Sequence, residues 1–128
     1  MRKFVILISL ILLICFYLYI NRQDVKIIDV HYNGHSAEIL VDRLPFTNSA
    51  KIHWWEKNQN EIRQKYHIPA GEDGPFLIVV YAFGEGYKEE GEEDRRCFEE
   101  VKSPRNCIDK NMLMDIWTTR EGGVEYEF

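Results

Sequence analysis

Much of what would point to chemistry is missing from this chain. Basic residues are the minority: 16 Lys and Arg against 21 Asp and Glu give a formal net charge of −5. A nucleic-acid binder needs the opposite balance or a basic patch, and no such patch is visible, so nucleic acid is not an expected partner. No Ser, Cys or Thr sits in an activating turn such as G-x-S-x-G, which leaves nucleophilic catalysis without a candidate. The histidines, His31, His35, His53 and His67, have no spacing that gathers them around a metal and read as surface or internally satisfied side chains. The acidic run Glu89, Glu90, Glu92, Glu93 and Asp94 lacks the alternating ligands and the Gly of an EF-hand loop. Gly84-Glu85-Gly86 is too short to cradle a phosphate, which Glu85 would repel. A carboxylate pair for hydrolysis has only the number of acids in its favour. No catalytic residue, metal or cofactor is expected, and the chain is not expected to be an enzyme.

What is present begins with Phe4–Ile20, a run without a charge, Gly or Pro whose clearly polar member is Ser9. As a helix it spans roughly 26 Å at about 1.5 Å per residue, close to the hydrocarbon core of about 30 Å. Arg2 and Lys3 can snorkel at one end, and Tyr17 and Tyr19 lie where an interfacial aromatic belt belongs. A cleaved signal peptide would have a shorter apolar core and small residues after it. Between Phe16 and Asn33 there is no Ala, Gly or Ser. The reading is an uncleaved signal anchor over residues 1–23, with residues 24–128 as one domain outside the cytoplasm. Without Arg2 and Lys3, residues 21–128 keep 14 basic residues against 21 acidic ones, a charge of −7.

Cysteine is scarce, and its placement is informative. Cys15 lies inside the apolar run and reads as a small membrane-embedded side chain. Cys97 and Cys107 fit no common zinc spacing. In an oxidising compartment they are expected to form a disulfide, which on so short a loop contributes about 3 kcal/mol.

Val25–Tyr32 and His35–Val41 read as a β-hairpin joined by Asn33-Gly34. A two-residue loop would set Ile28 opposite Ile39 and Val30 opposite Ala37, but also Asp29 opposite Glu38, a like-charge pair; a longer loop through Ser36 is the alternative. Thr47, Asn48 or Ser49 can cap a helix that runs to about Tyr66 and is stopped by Pro69. Ile52, Trp55, Gln59, Ile62 and Tyr66 form its apolar stripe, with Trp54 at the edge as a core-boundary or contact residue. Phe76–Phe83, bounded by Pro75 and Gly84, reads as a central strand apolar on both faces. One helix covers only one of those faces, so the other must meet loops, a second copy or a partner. Gly84–Asp94 is an acidic loop, Met112–Thr119 is extended, and Val124–Phe128 is a last strand. The expected fold is α+β: an N-terminal transmembrane helix, then a small antiparallel sheet of about five strands with one packed helix.

Three stretches carry a resemblance. One is Lys51-Ile52-His53-Trp54-Trp55 with Asn58, Ile62, Tyr66, Ile68 and Pro69; another is Phe83-Gly84-Glu85-Gly86-Tyr87-Lys88. The third runs from Asp94-Arg95-Arg96-Cys97-Phe98 to Asn106-Cys107-Ile108-Asp109-Lys110-Asn111. With the N-terminal anchor, they resemble the enterobacterial putative membrane protein family, domain-of-unknown-function family 943. Glu85 stands where that family's pattern has Asp. The resemblance implies a small protein anchored in the inner membrane; it implies no activity and no catalytic residues. The flanking charges and the cysteine pair, not the resemblance, lead to the expectation of a periplasmic domain. The expectation is a protein-binding module, with Trp54, Tyr87, Glu89, Glu90, Glu92, Glu93, Asp94 and Phe98 as candidate contacts for an unidentified protein partner. An immunity-type protein against a bacterial toxin is the sharpest form. An accessory subunit of a membrane complex, or a homodimer, is the alternative, and an envelope hydrolase has the least behind it.

Overall fold

The computed structural model describes residues 1–128. Helix α1 (Arg2–Ile20) is the apolar run; none of its residues is buried, and its mean hydropathy of 2.6 makes it long and apolar enough to cross a membrane. Asn21, just beyond it, ties it to the domain. Its Oδ1 accepts the Thr47 N–H at 2.8 Å, and the Phe46 N–H donates to the Ile20 carbonyl at 2.9 Å.

Strands β1 (Ile27–Tyr32) and β2 (Ser36–Val41) form the hairpin. The two-residue register is corrected in favour of the longer loop: Val30 faces Ile39, His31 faces Glu38, and Ile28 sits in an irregularity and is exposed. The Asn33 carboxamide oxygen accepts the N–H groups of His35 and Ser36 at 2.8 and 2.9 Å, holding the wider turn. A slip of two residues keeps the apolar face inward and separates Asp29 from Glu38, so both packing and charge favour it.

Helix α2 (Asn48–Tyr66) starts at Thr47, whose hydroxyl accepts the Ala50 N–H, and ends at His67 in the left-handed conformation (φ 56°). It returns the chain to the start of β3 (Leu77–Ala82), so β2 and β3 run parallel. Strands β6 (Met112–Thr118) and β7 (Val124–Glu127) complete a sheet of order β1-β2-β3-β6-β7. The fold is α+β with five strands and mostly antiparallel pairing; the parallel pair is the departure from an all-antiparallel sheet. The reason is the crossover, because a helix that spans the sheet's length brings the next strand in with the same direction.

Strand β3 is the central one, and its alternating faces enter different cores. Ile78 and Val80, with Ala37, Ile39, Val41, Met114 and Ile116, pack under Trp54, Trp55 and Ile62 of α2. Val79 and Tyr81, with Leu40, pack against Phe98 and Ile108. The second apolar face is therefore covered by the chain's own loop segment, and it does not demand a second copy or a partner.

Candidate functional site

That covering segment leaves the sheet after Ala82 and rejoins it at Met112. Within it, β4 (Arg95–Cys97) and β5 (Cys107–Asp109) pair antiparallel, and Lys88 bridges to Cys107 as a further rung. Cys97 and Cys107 face each other across β4 and β5 and form the expected disulfide. The result is a small braced flap lying on the sheet.

A bracket of opposite charges closes one side of the flap. The Asp109 carboxylate accepts from Lys88 Nζ at 2.9 Å and Arg95 Nε at 3.0 Å. These hydrogen bonds, Lys88 first and Arg95 second, hold the Asp109 carboxyl below its ordinary value, and Lys88 and Arg95 are raised in return, each with Asp109 as the leading cause. Arg95 also binds the Glu89 carbonyl at 2.8 Å and pairs with Glu93 at 3.0 Å, while Lys110 pairs with Asp94 at 2.8 Å. Both ends of the acidic loop are thus fixed to the flap. Arg95 meets Glu89 and Glu90 only at their backbone carbonyls; the carboxylates of Glu89, Glu90 and Glu92 are exposed and make no ion pair. They project from a base pinned by those bonds.

The flap is keyed to the sheet by a polar cluster over β1 and β2. His31, with a side chain only 8% exposed, stacks on Phe98 with ring centroids 3.8 Å apart. The Tyr87 hydroxyl donates to Asp29 Oδ2 at 2.5 Å and lies 3.0 Å from His31 Nε2. Since the single hydroxyl proton goes to Asp29, His31 donates from Nε2 and leaves Nδ1 facing Glu100 at 3.6 Å. Burial, and then the bond to Asp29, push the Tyr87 phenol far above its usual value, so it stays protonated as that donor. Beside it, Arg96 grips the buried Glu38 through Nε at 2.7 Å and Nη2 at 2.5 Å and lies over the Phe98 ring. The guanidinium is raised chiefly by that carboxylate.

Two expected contact residues are corrected. Trp54 is 2% exposed and shares the α2 core with Trp55, because the buried stripe of the helix is wide enough to take both indoles. Phe98 is 2% exposed and is the main apolar plug of the flap. Tyr87 is half-buried and turned inward. Glu89, Glu90, Glu92, Glu93 and Asp94 are all exposed along the acidic rim of the flap that the loop forms between Lys88 and Arg95. Sequence reasoning missed Glu38, Arg96, Asp29 and His31 as a group. A usable signal was Glu38 itself, a lone charge inside the apolar strand Ala37–Val41. The cleft between α2 and the entry to β1, about 390 Å³, lies on the opposite face and is lined by Val25, Trp54, Ile62 and Tyr66 with Lys26, Glu61 and Lys65. No three His, Cys, Asp or Glu side chains converge as metal ligands.

A family model matches residues 1–128; its description is "Enterobacterial putative membrane protein (DUF943)". No curated protein and no solved structure matches the chain.

Proposed function

Because the chain belongs to this enterobacterial membrane-protein family, we propose that it is a single-pass protein whose N-terminal helix holds a small acidic binding domain at the outer surface of the inner membrane. The domain works by gripping a protein, not by catalysis. One observation carries the reading: Glu89, Glu90 and Glu92 stand without cationic partners on a loop that Arg95, Lys110 and the Cys97–Cys107 bond hold rigid. Unneutralised carboxylates on a pre-ordered base suit a partner with a basic surface, since the loop loses little freedom on binding and the charge speeds encounter. An immunity-type role, neutralising a toxin that enters the envelope, is the specific form proposed. Tethering to the bilayer raises the concentration of the neutraliser where such a toxin passes.

Combined Glu89→Lys, Glu90→Lys and Glu92→Lys substitution tests this. None of the three side chains has an ion pair to lose, so the fold is retained and circular dichroism is unchanged. Capture of the partner, and protection of the producing cell in competition with rival bacteria, are both expected to be lost. Captured partner should also dissociate as salt is raised toward 1 M, where the Debye length falls to about 3 Å. Full protection by the reversed-charge variant refutes the reading.

A further inference from the structure

The end of α1 holds a second feature that the binding proposal does not use. Phe46, at the tip of the loop joining β2 to α2, is 70% exposed although its backbone is bonded directly to the helix end. Tyr19, Ile20, Arg22, Arg43, Leu44 and Phe46 line one cleft of about 340 Å³ there. Arg22 stacks 4.6 Å over the Tyr19 ring, with its Nε 3.2 Å from Asp24. Arg43 reaches the same Asp24 and donates to the Arg22 carbonyl at 3.0 Å. Two guanidiniums thus share one carboxylate, in a domain that elsewhere carries a large excess of acid.

Resting on the reading of α1 as a membrane-spanning helix, we infer that this loop is a second membrane contact. Phe46 seats at the acyl-chain boundary of the bilayer that holds α1, and Arg22 and Arg43 bind the phosphodiesters of anionic phospholipid. Length supports this. Phe4–Ile20 spans roughly 26 Å against a hydrocarbon core of about 30 Å, and a short helix is accommodated by drawing its flanking groups toward the core. Ile20 cannot move in without Phe46. Charge supports it as well: the acidic remainder is repelled by an anionic leaflet, whereas the guanidinium pair matches phosphate. Together these contacts fix the tilt of the domain on the membrane.

The test uses the full chain, with Cys15→Ser and Phe46→Cys, spin-labelled at position 46 and reconstituted into phosphatidylcholine vesicles with or without one quarter phosphatidylglycerol. A second chain labelled after Phe76→Cys reports from the opposite end of β3, about 20 Å away. The ratio of oxygen to water-soluble nickel accessibility is expected to be several-fold higher at 46 than at 76, and to rise further with phosphatidylglycerol. Arg22→Gln with Arg43→Gln is expected to abolish that rise; Arg22→Gln alone, which leaves the Arg43–Asp24 pair intact, should reduce it. A label at 46 as water-exposed as the one at 76 overturns the inference, and so does a ratio indifferent to phosphatidylglycerol. Alkaline extraction separates the two readings: chain released from the vesicles refutes the spanning helix as well, whereas chain that resists extraction but carries an aqueous label refutes only the contact.

Discussion

Glu38 and Arg96 hold unequal stakes in the bond between them. The Glu38 side chain is 9% exposed and that of Arg96 is 38% exposed. Deleting the arginine strands a carboxylate inside the protein, while deleting the glutamate frees a guanidinium that can turn to water. Arg96→Met is expected to cost about 3 kcal/mol and Glu38→Met roughly 1 kcal/mol, read as shifts in the urea midpoint of the detergent-solubilised chain. The paired substitution should recover most of the larger loss. Equal losses would mean that the pair behaves as a surface ion pair. This asymmetry lay beyond sequence reasoning because it depends on which chain segment covers β2. Glu38 could be flagged as a charge in an apolar strand, but nothing local names a partner lying 58 positions away. His31 escaped for the same reason: a lone histidine near a turn gives no hint that Phe98 will stack on it. The cap of α2, by contrast, was legible to within Thr47, Asn48 or Ser49, since the bond that Thr47 makes is to Ala50, three residues on.

At the level of elements, the flap should behave as a unit less stable than the sheet. It rests on the disulfide, the Asp109 bracket and the plug of Phe98 and Ile108. Cys97→Ser with Cys107→Ser is expected to remove about 3 kcal/mol, to raise binding of a hydrophobic dye as Leu40, Val79 and Tyr81 open to water, and to leave α2 intact by circular dichroism. The bracket adds a pH signature. Asp109 titrates below its ordinary 3.8 in the folded chain, so its contribution is full above that value and is lost as pH falls through the lower folded one. Hydrogen exchange at the Lys88 and Cys107 amides should accelerate in that acid window before the sheet amides respond. Simultaneous acceleration would show one cooperative unit. Sequence pattern delivered the pieces of this architecture: the apolar helix, the capped helix, the Pro-bounded central strand and the cysteine pair. Pairing was harder. The parallel direction of β2 and β3 follows from where α2 deposits the chain, and the hairpin register turned on Asn33 bonding to His35 and Ser36 in place of a tight two-residue turn.

For the molecule as a whole, the proposed orientation ties compartment to chemistry. Residues 24–128 placed in the periplasm can keep the Cys97–Cys107 bond; placed in the cytosol they would meet a reducing glutathione pool. A reporter joined at Phe128, beyond the last residue of β7, sits at the domain surface and should not disturb the sheet. Alkaline phosphatase there is expected to be active, and a thiol-alkylating reagent should find both cysteines blocked in intact cells. An inactive phosphatase with free thiols would reverse the orientation and remove the setting in which the acidic rim is proposed to act.

The chain departs from the sheet at Ala82 and comes back beside its own point of departure, where the Ala82 N–H meets the Asn111 carbonyl at 3.0 Å. Strands β3 and β6 are neighbours with or without what lies between them, so the excursion resembles a cassette plugged into a frame. Its underside must stay greasy and its thiols must stay in place, but the side chains of Glu89, Glu90 and Glu92 owe the frame nothing. Those few side chains can be rewritten repeatedly while the scaffold is inherited unchanged.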